Sequence, residues 1–121
     1  MPGDMPSLSY LVRREIHSLC IPPHRLGYQY LTYAVEKVVV DPRLVHGVTK
    51  DLYRETARHF ETSWTAVERN SRTAIKAGWE TPEGRSRLCA IIGYQPARCP
   101  NTASFIAVVA EYVAEIYSHS K

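Results

Sequence analysis

Thr65, Arg69, Arg72 and Lys76 follow one another at spacings of four, three and four. On a helix that spacing puts all four on one side, with Glu68 and Thr73 on its flanks. The chemistry open to such a row is recognition of duplex DNA. A guanidinium can donate two hydrogen bonds to O6 and N7 of guanine, which makes Arg69 and Arg72 the candidate base readers. Glu68 is placed to accept from a cytosine amino group or to orient Arg69 through a side-chain bond. Thr65, Thr73 and Lys76 are candidates for phosphate or base contacts. Beyond this row, Arg85, Arg87 and Arg98 are candidates for backbone phosphates, contacts that set register without reading sequence.

These residues need a rigid platform, and residues 49–79 supply the pattern for one. Thr49 is a plausible N-cap, and Asp51 suits the positive end of a helix dipole. Leu52, Tyr53, Thr56, Ala57 and Phe60 recur at helical spacing, so one face of this first helix is expected to be buried. Thr62 or Ser63 caps a second helix, expected over about 63–79. Its inner side carries Val67, Ser71, Ala74, Ile75 and Gly78. Ala57 and Val67 stand ten residues apart, a small and an aliphatic residue where two crossing helices meet. This is the layout of a helix-turn-helix. The same pattern also fits an ordinary helical hairpin with a solvated charged face.

The rest of the chain reads as helical, giving an all-α domain of about six helices over residues 7–121. Residues 1–6, with two prolines and a glycine, form a flexible lead-in. A first helix over about 7–19 buries Leu8, Leu11, Val12, Ile16 and Leu19. Pro22 and Pro23 interrupt the chain. A second helix over about 24–40 turns Tyr28, Leu31, Val35, Val38 and Val39 inward and stops at Asp41-Pro42. Thr81-Pro82 is a cap followed by proline in the first turn, and Gly93 suits the end of the helix that follows. The last helix, about 102–118, places Phe105, Ile106, Val109, Tyr112, Val113 and Ile116 on a wide apolar stripe. Closing the core accounts for that stripe. A contact of Tyr112, Ile116 and Tyr117 with a second copy is the alternative.

Composition excludes several classes. At 121 residues with a formal charge of +3, the chain is one mildly basic domain. Positive charge gathers over 69–98, whereas Glu111 and Glu115 are the only charges over 101–118. The three cysteines, Cys20, Cys89 and Cys99, have no metal-type spacing, and an odd number makes a poor disulfide framework. Free thiols in a reducing cytosol are expected. The five histidines lack ligand spacing, so no metal and no cofactor is expected. No phosphate loop, nucleophile elbow or acid–base set can be assembled, so the chain does not read as an enzyme. No stretch has the length or apolarity of a signal peptide or a membrane span.

Several blocks resemble a known family. IHSLCIPPHRLGYQYLTYAV, Ile16 to Val35, is similar to the start of the C-terminal effector domain of stage-zero sporulation protein A. The resemblance continues through Thr49-Lys50, Leu52-Tyr53, Ala57, Phe60 and Thr62. It runs on through Val67-Glu68-Arg69, Arg72, Ala74-Ile75 and Trp79, then Gly93-Tyr94, Pro100-Asn101 and Phe105-Ile106-Ala107. It implies six helices with the third and fourth forming the helix-turn-helix, and binding of double-stranded DNA in the major groove. It also implies a transcriptional regulator acting in the cytoplasm, with RNA polymerase as a further partner. Because a single recognition helix reads only a few base pairs, a homodimer on tandem sites is expected. The phosphoacceptor domain that precedes the effector in that family has no counterpart in these residues. The chain departs from the family at Cys20, usually Gly; at Ala66, usually Arg; and at Asn70 and Ser71, usually apolar. It departs again at Thr73, usually His, and at Arg98-Cys99, where the stretch is usually Lys-rich. These departures motivate a second reading, a protein–protein interaction module on the same scaffold with weakened or lost DNA binding.

Overall fold

The computed structural model describes residues 7–45 and 49–119. Within them lie six α-helices and no strand: α1 (Leu8–Ser18), α2 (Leu26–Val40), α3 (Thr49–His59), α4 (Trp64–Trp79), α5 (Pro82–Ile92) and α6 (Thr102–His119). A single 3-10 turn, Pro42–Val45, links α2 towards α3. The expectation of about six helices holds. The lead-in at 1–6 and the Thr49 capping role lie outside the described residues and side chains.

Short polar side chains set the helix starts. Ser7 Oγ accepts from Tyr10 N–H at 3.0 Å and Ser63 Oγ from Ala66 N–H at 3.1 Å. Thr81 Oγ1 accepts from Gly84 N–H at 2.9 Å, with Pro82 following in the first turn. Asn101 Oδ1 accepts from Ser104 N–H at 2.8 Å. Each satisfies one backbone donor that has no partner inside its helix. Helix α2 starts two residues later than the expected His24, because Arg25 is extended, with φ −83° and ψ 145°. Helix α5 ends on Gly93 at φ 96°, a left-handed conformation that glycine adopts without a Cβ penalty.

Helix α2 is the central element and touches α1, α3, α4 and α6. Leu31 and Val35 on α2 lie among Leu11, Val12 and Ile16 of α1, Val67 of α4, and Phe105, Val109 and Val113 of α6, all at most 1% exposed. Burying each such side chain stabilises the fold by roughly 1.5–3 kcal/mol. Tyr30, Ala34 and Ile21 join the core without having been expected there, while Tyr28 and Val39 are half-buried. Tyr30 is drawn in by an edge-on contact with Phe60, ring centroids 5.2 Å apart. Ala34 is inside because small residues let neighbouring helices approach.

Helices α2 and α4 approach closely. A Cβ on Gly27 would collide with the Asn70 carbonyl and stand 2.6 Å from Ala74 Cβ. The α2 main chain therefore lies directly on α4. Ser71 and Ala74, both small and both buried, make room on the α4 side. This seam fixes how α4 presents its other face.

Among the described residues, two non-glycine residues hold left-handed backbone: Cys20 at φ 63° and Glu61 at φ 55°. Glu61 closes α3. Its N–H reaches the Arg58 carbonyl at 3.3 Å, and Thr62 N–H reaches the Ala57 carbonyl at 2.9 Å. That pair of bonds is a Schellman ending with Glu61 in the slot glycine usually fills. Cys20 holds the corresponding place after α1, which explains why a glycine suits that position.

Helix α6 closes the core with Phe105, Ile106, Val109, Ala110 and Val113. Tyr112 is half-buried, and its hydroxyl accepts from Arg87 at 3.2 Å.

Candidate nucleic-acid interface

Helix α4 has two unlike sides. Val67, Ser71, Ala74, Ile75 and Gly78 are buried. Thr65, Arg69, Arg72, Thr73 and Lys76 are exposed, and Glu68 is half-buried. The short turn from α3, the Ser63 cap and the seam with α2 hold this amphipathic helix in place. Ala57 on α3 is buried near that turn, as its small side chain suggests.

Among the described residues, the Arg69 guanidinium has no hydrogen bond or ion pair. Orienting Arg69 is one of the two roles that the sequence offers Glu68, and the structure does not make that bond. Instead, Arg72 Nη1 donates to Glu68 Oε1 at 2.6 Å. Helix geometry gives the reason: residues four apart lie one above the other, whereas adjacent side chains diverge by about 100°. Thr73 Oγ1 donates back to the Arg69 carbonyl at 3.0 Å, and Thr65 Oγ1 is 3.1 Å from Ser63 Oγ. Both hydroxyls retain acceptor capacity. Asn70 and Ser71 lie off this outward row. Asn70 Nδ2 donates to the Ala66 carbonyl at 2.8 Å and Ser71 is in the core.

Further cations gather at the C-terminal half of α4. Arg85 Nε donates to the Trp79 carbonyl at 3.1 Å, and its guanidinium lies 4.7 Å from the Trp79 ring centroid. With Arg72, Lys76, Pro100 and Asn101 these residues line a recess of about 550 Å³ that also takes in Cys99. Burial pushes the Cys99 thiol up, while Lys76 and Arg85 pull it the other way. Arg98 is exposed on the adjoining loop, beside Tyr94 and Pro96.

Arg87, a candidate for a backbone phosphate, stands apart from this group and is paired within the fold. Its Nη2 donates to Glu15 Oε1 at 2.6 Å and to the Tyr112 hydroxyl at 3.2 Å, and its Nε lies 3.3 Å from Ser18 Oγ. The Glu15 side chain is only 4% exposed. A carboxylate so far from water requires a cation, and Arg87 supplies it. The same contacts hold Arg87 as a cation, with the Glu15 bond the strongest influence.

Two residues near the interface were not anticipated from the sequence: Trp64, the first residue of α4, and Lys50 on α3. Both are exposed, and the Lys50 ammonium stands 5.7 Å from the Trp64 ring centroid. The three cysteines are free. Among the described residues no cluster of three or more His, Cys, Asp or Glu side chains is suited to a metal ion, and no helix is long and apolar enough to cross a membrane.

An all-helical domain whose third and fourth helices are joined by a tight turn, with the second anchored on one side and polar and basic on the other, is of the helix-turn-helix class. The family model for the sporulation initiation factor Spo0A C terminal matches residues 12–113, from the middle of α1 into α6. The chain belongs to that family, the effector domain of a transcription factor.

Proposed function

We propose that this domain binds double-stranded DNA with sequence preference, with α4 as the recognition helix in the major groove. One observation carries the reading: α4 is anchored on its inner side and presents Arg69 outward with no partner among the described residues. A bidentate arginine–guanine contact discriminates by about 1–3 kcal/mol against the wrong base. In this reading Arg69 reads a base directly. Arg72 reads one when Glu68 releases it, or the Glu68–Arg72 pair presents a carboxylate to a cytosine amino group. Thr65, Thr73 and Lys76 contact bases or phosphates at the groove walls. Arg85 and Arg98, on the α5 side, contact phosphates.

A single recognition helix reads few base pairs, so two copies on tandem half-sites about one helical turn apart complete the proposal. RNA polymerase then meets a surface other than α4. Of the residues that motivate the interaction-module reading, Asn70 and Ser71 lie off the outward row, which leaves Ala66.

The test is a mobility-shift titration of the full chain against a selected duplex and a random duplex across a range of salt. Tighter binding of the selected duplex, weakening steeply with salt on both, is the expected result. No binding to either at low salt overturns the reading.

A further inference from the structure

Trp64 is the one large hydrophobic side chain among the described residues of α4 that is left exposed, at 36%. The other tryptophan of this helix, Trp79, is half-buried beneath Arg85. An indole more than a third exposed forgoes part of the burial that usually makes tryptophan stabilising, so its place at the start of α4 calls for a reason. Side chains on a helix lean towards its N-terminus. From the first position the ring therefore projects beyond the helix end, on the same ridge as Glu68 and Arg72, four and eight residues on. The Ser63 cap fixes that end, and Lys50 brings a cation to it from α3.

We propose that Trp64 is a further specificity-determining residue, whose indole packs on the C5-methyl group of thymine at one edge of the DNA site, with Lys50 on the adjacent phosphate. The inference rests on the DNA-binding reading above. When a recognition helix enters the major groove, its N-terminal residues are the ones that meet base edges. Among the groups that base pairs present there, the thymine methyl is the apolar one. The indole ring offers a flat apolar surface and one donor but no acceptor, so it suits a methyl group better than a guanine or adenine edge. Cytosine in the same place lacks the methyl and leaves the ring uncovered. Lys50, held within 6 Å of the ring centroid, stands where the sugar–phosphate wall passes the helix end.

The experiment begins with duplexes selected by the full wild-type chain from a randomised pool. Each thymine of the selected duplex is then replaced in turn by uracil, which pairs identically and lacks only the methyl. One thymine, or two adjacent ones, near an edge of the site should weaken wild-type binding by about 3- to 10-fold when replaced. The same replacement should leave Trp64→Ala unchanged. Trp64→Ala should itself bind the thymine duplex about 5- to 30-fold less tightly, with Trp64→Phe recovering most of the loss and both variants melting as the wild type does.

Uracil effects that are absent, or equal in wild type and Trp64→Ala, overturn the inference. So does a marked fall in the melting temperature of Trp64→Ala, which would make the ring part of the scaffold. Loss of binding in Arg69→Ala with Trp64→Ala unaffected removes the inference and leaves the DNA-binding reading standing. Failure of the wild type to select any duplex removes both.

Discussion

Arg69 on α4 and Arg87 on α5 carry the same guanidinium on successive helices, yet their surroundings are opposite. Arg69 faces solvent with no partner among the described residues. Arg87 is held between Glu15 of α1 and Tyr112 of α6. The difference lies in what each meets across space, since both sit in a locally basic stretch. A guanidinium beside a carboxylate that water cannot reach becomes part of the scaffold. A guanidinium on the far side of an anchored helix remains available to a ligand. The outward row of α4 and the corner where α1, α5 and α6 meet are thus two regions with separable roles, and substitutions should separate them.

The largest expected effect tests the support beneath α4. Gly27→Ala places a methyl group against the Asn70 main chain, which cannot move without shifting the whole helix. We expect a loss of about 3 kcal/mol, the upper range for overpacking. A chemical denaturation curve matching that of the wild type would mean that α2 does not fix α4. Next comes the corner. Arg87→Ala leaves Glu15 buried with Arg14 as its remaining cation, at 3.3 Å, and a long contact from the Ser18 hydroxyl, at 3.5 Å. Breaking buried pairs costs about 3–5 kcal/mol, but Arg87 is partly exposed, so we expect about 2–3 kcal/mol. The melting temperature should fall by about 10 °C. The folded fraction should bind DNA as the wild type does, and a selective loss of affinity without loss of stability would return Arg87 to the interface.

Arg69→Ala should do the reverse. We expect about 1–3 kcal/mol lost on the selected duplex, relaxed preference at one base position, and an unchanged melting temperature. Equal losses on selected and random duplexes would reduce Arg69 to a phosphate contact. The smallest effect sharpens the contrast from the scaffold side. Cys20→Gly relieves a left-handed backbone that costs an ordinary residue about 1–2 kcal/mol, against an entropic loss of about 0.5–1 kcal/mol. A gain of roughly 0.5 kcal/mol follows from the difference, visible as a slightly higher melting temperature with DNA affinity unaltered. A lower melting temperature would show that the Cys20 side chain contributes more than its backbone costs.

Local chemistry made much of the fold legible. The caps at Ser63 and Thr81, proline in the first turn of α5 and the Gly93 ending each follow from neighbours within a few residues. The division of α4 into inner and outer sides was equally readable, because helical spacing alone determines it. What escaped depended on distance. The Glu15–Arg87 pair joins residues 72 positions apart, and a charged residue in the core contradicts the apolar pattern used to find cores. The partner of Glu68 also escaped: the sequence leaves a cytosine amino group and Arg69 both open, and position on the helix pairs Glu68 with Arg72 instead. Nothing in the spacing around Trp64 distinguishes it from a core aromatic residue, and only its exposure sets it apart.

Direct contact of main chain with main chain at Gly27 also bears on the kinetics of recognition. A helix cushioned by long side chains can roll about its axis, and docking must then freeze that motion. Here α4 cannot roll without prising two backbones apart, so the freedom that binding would remove is already gone in the free protein. If the proposed DNA binding holds, association resembles the meeting of two rigid shapes. Its rate is set by orientation and by the pull of exposed cations such as Arg69 and Lys76, and it slows as salt is added. Differences between one DNA sequence and another should accordingly be felt mainly in how long the complex lasts.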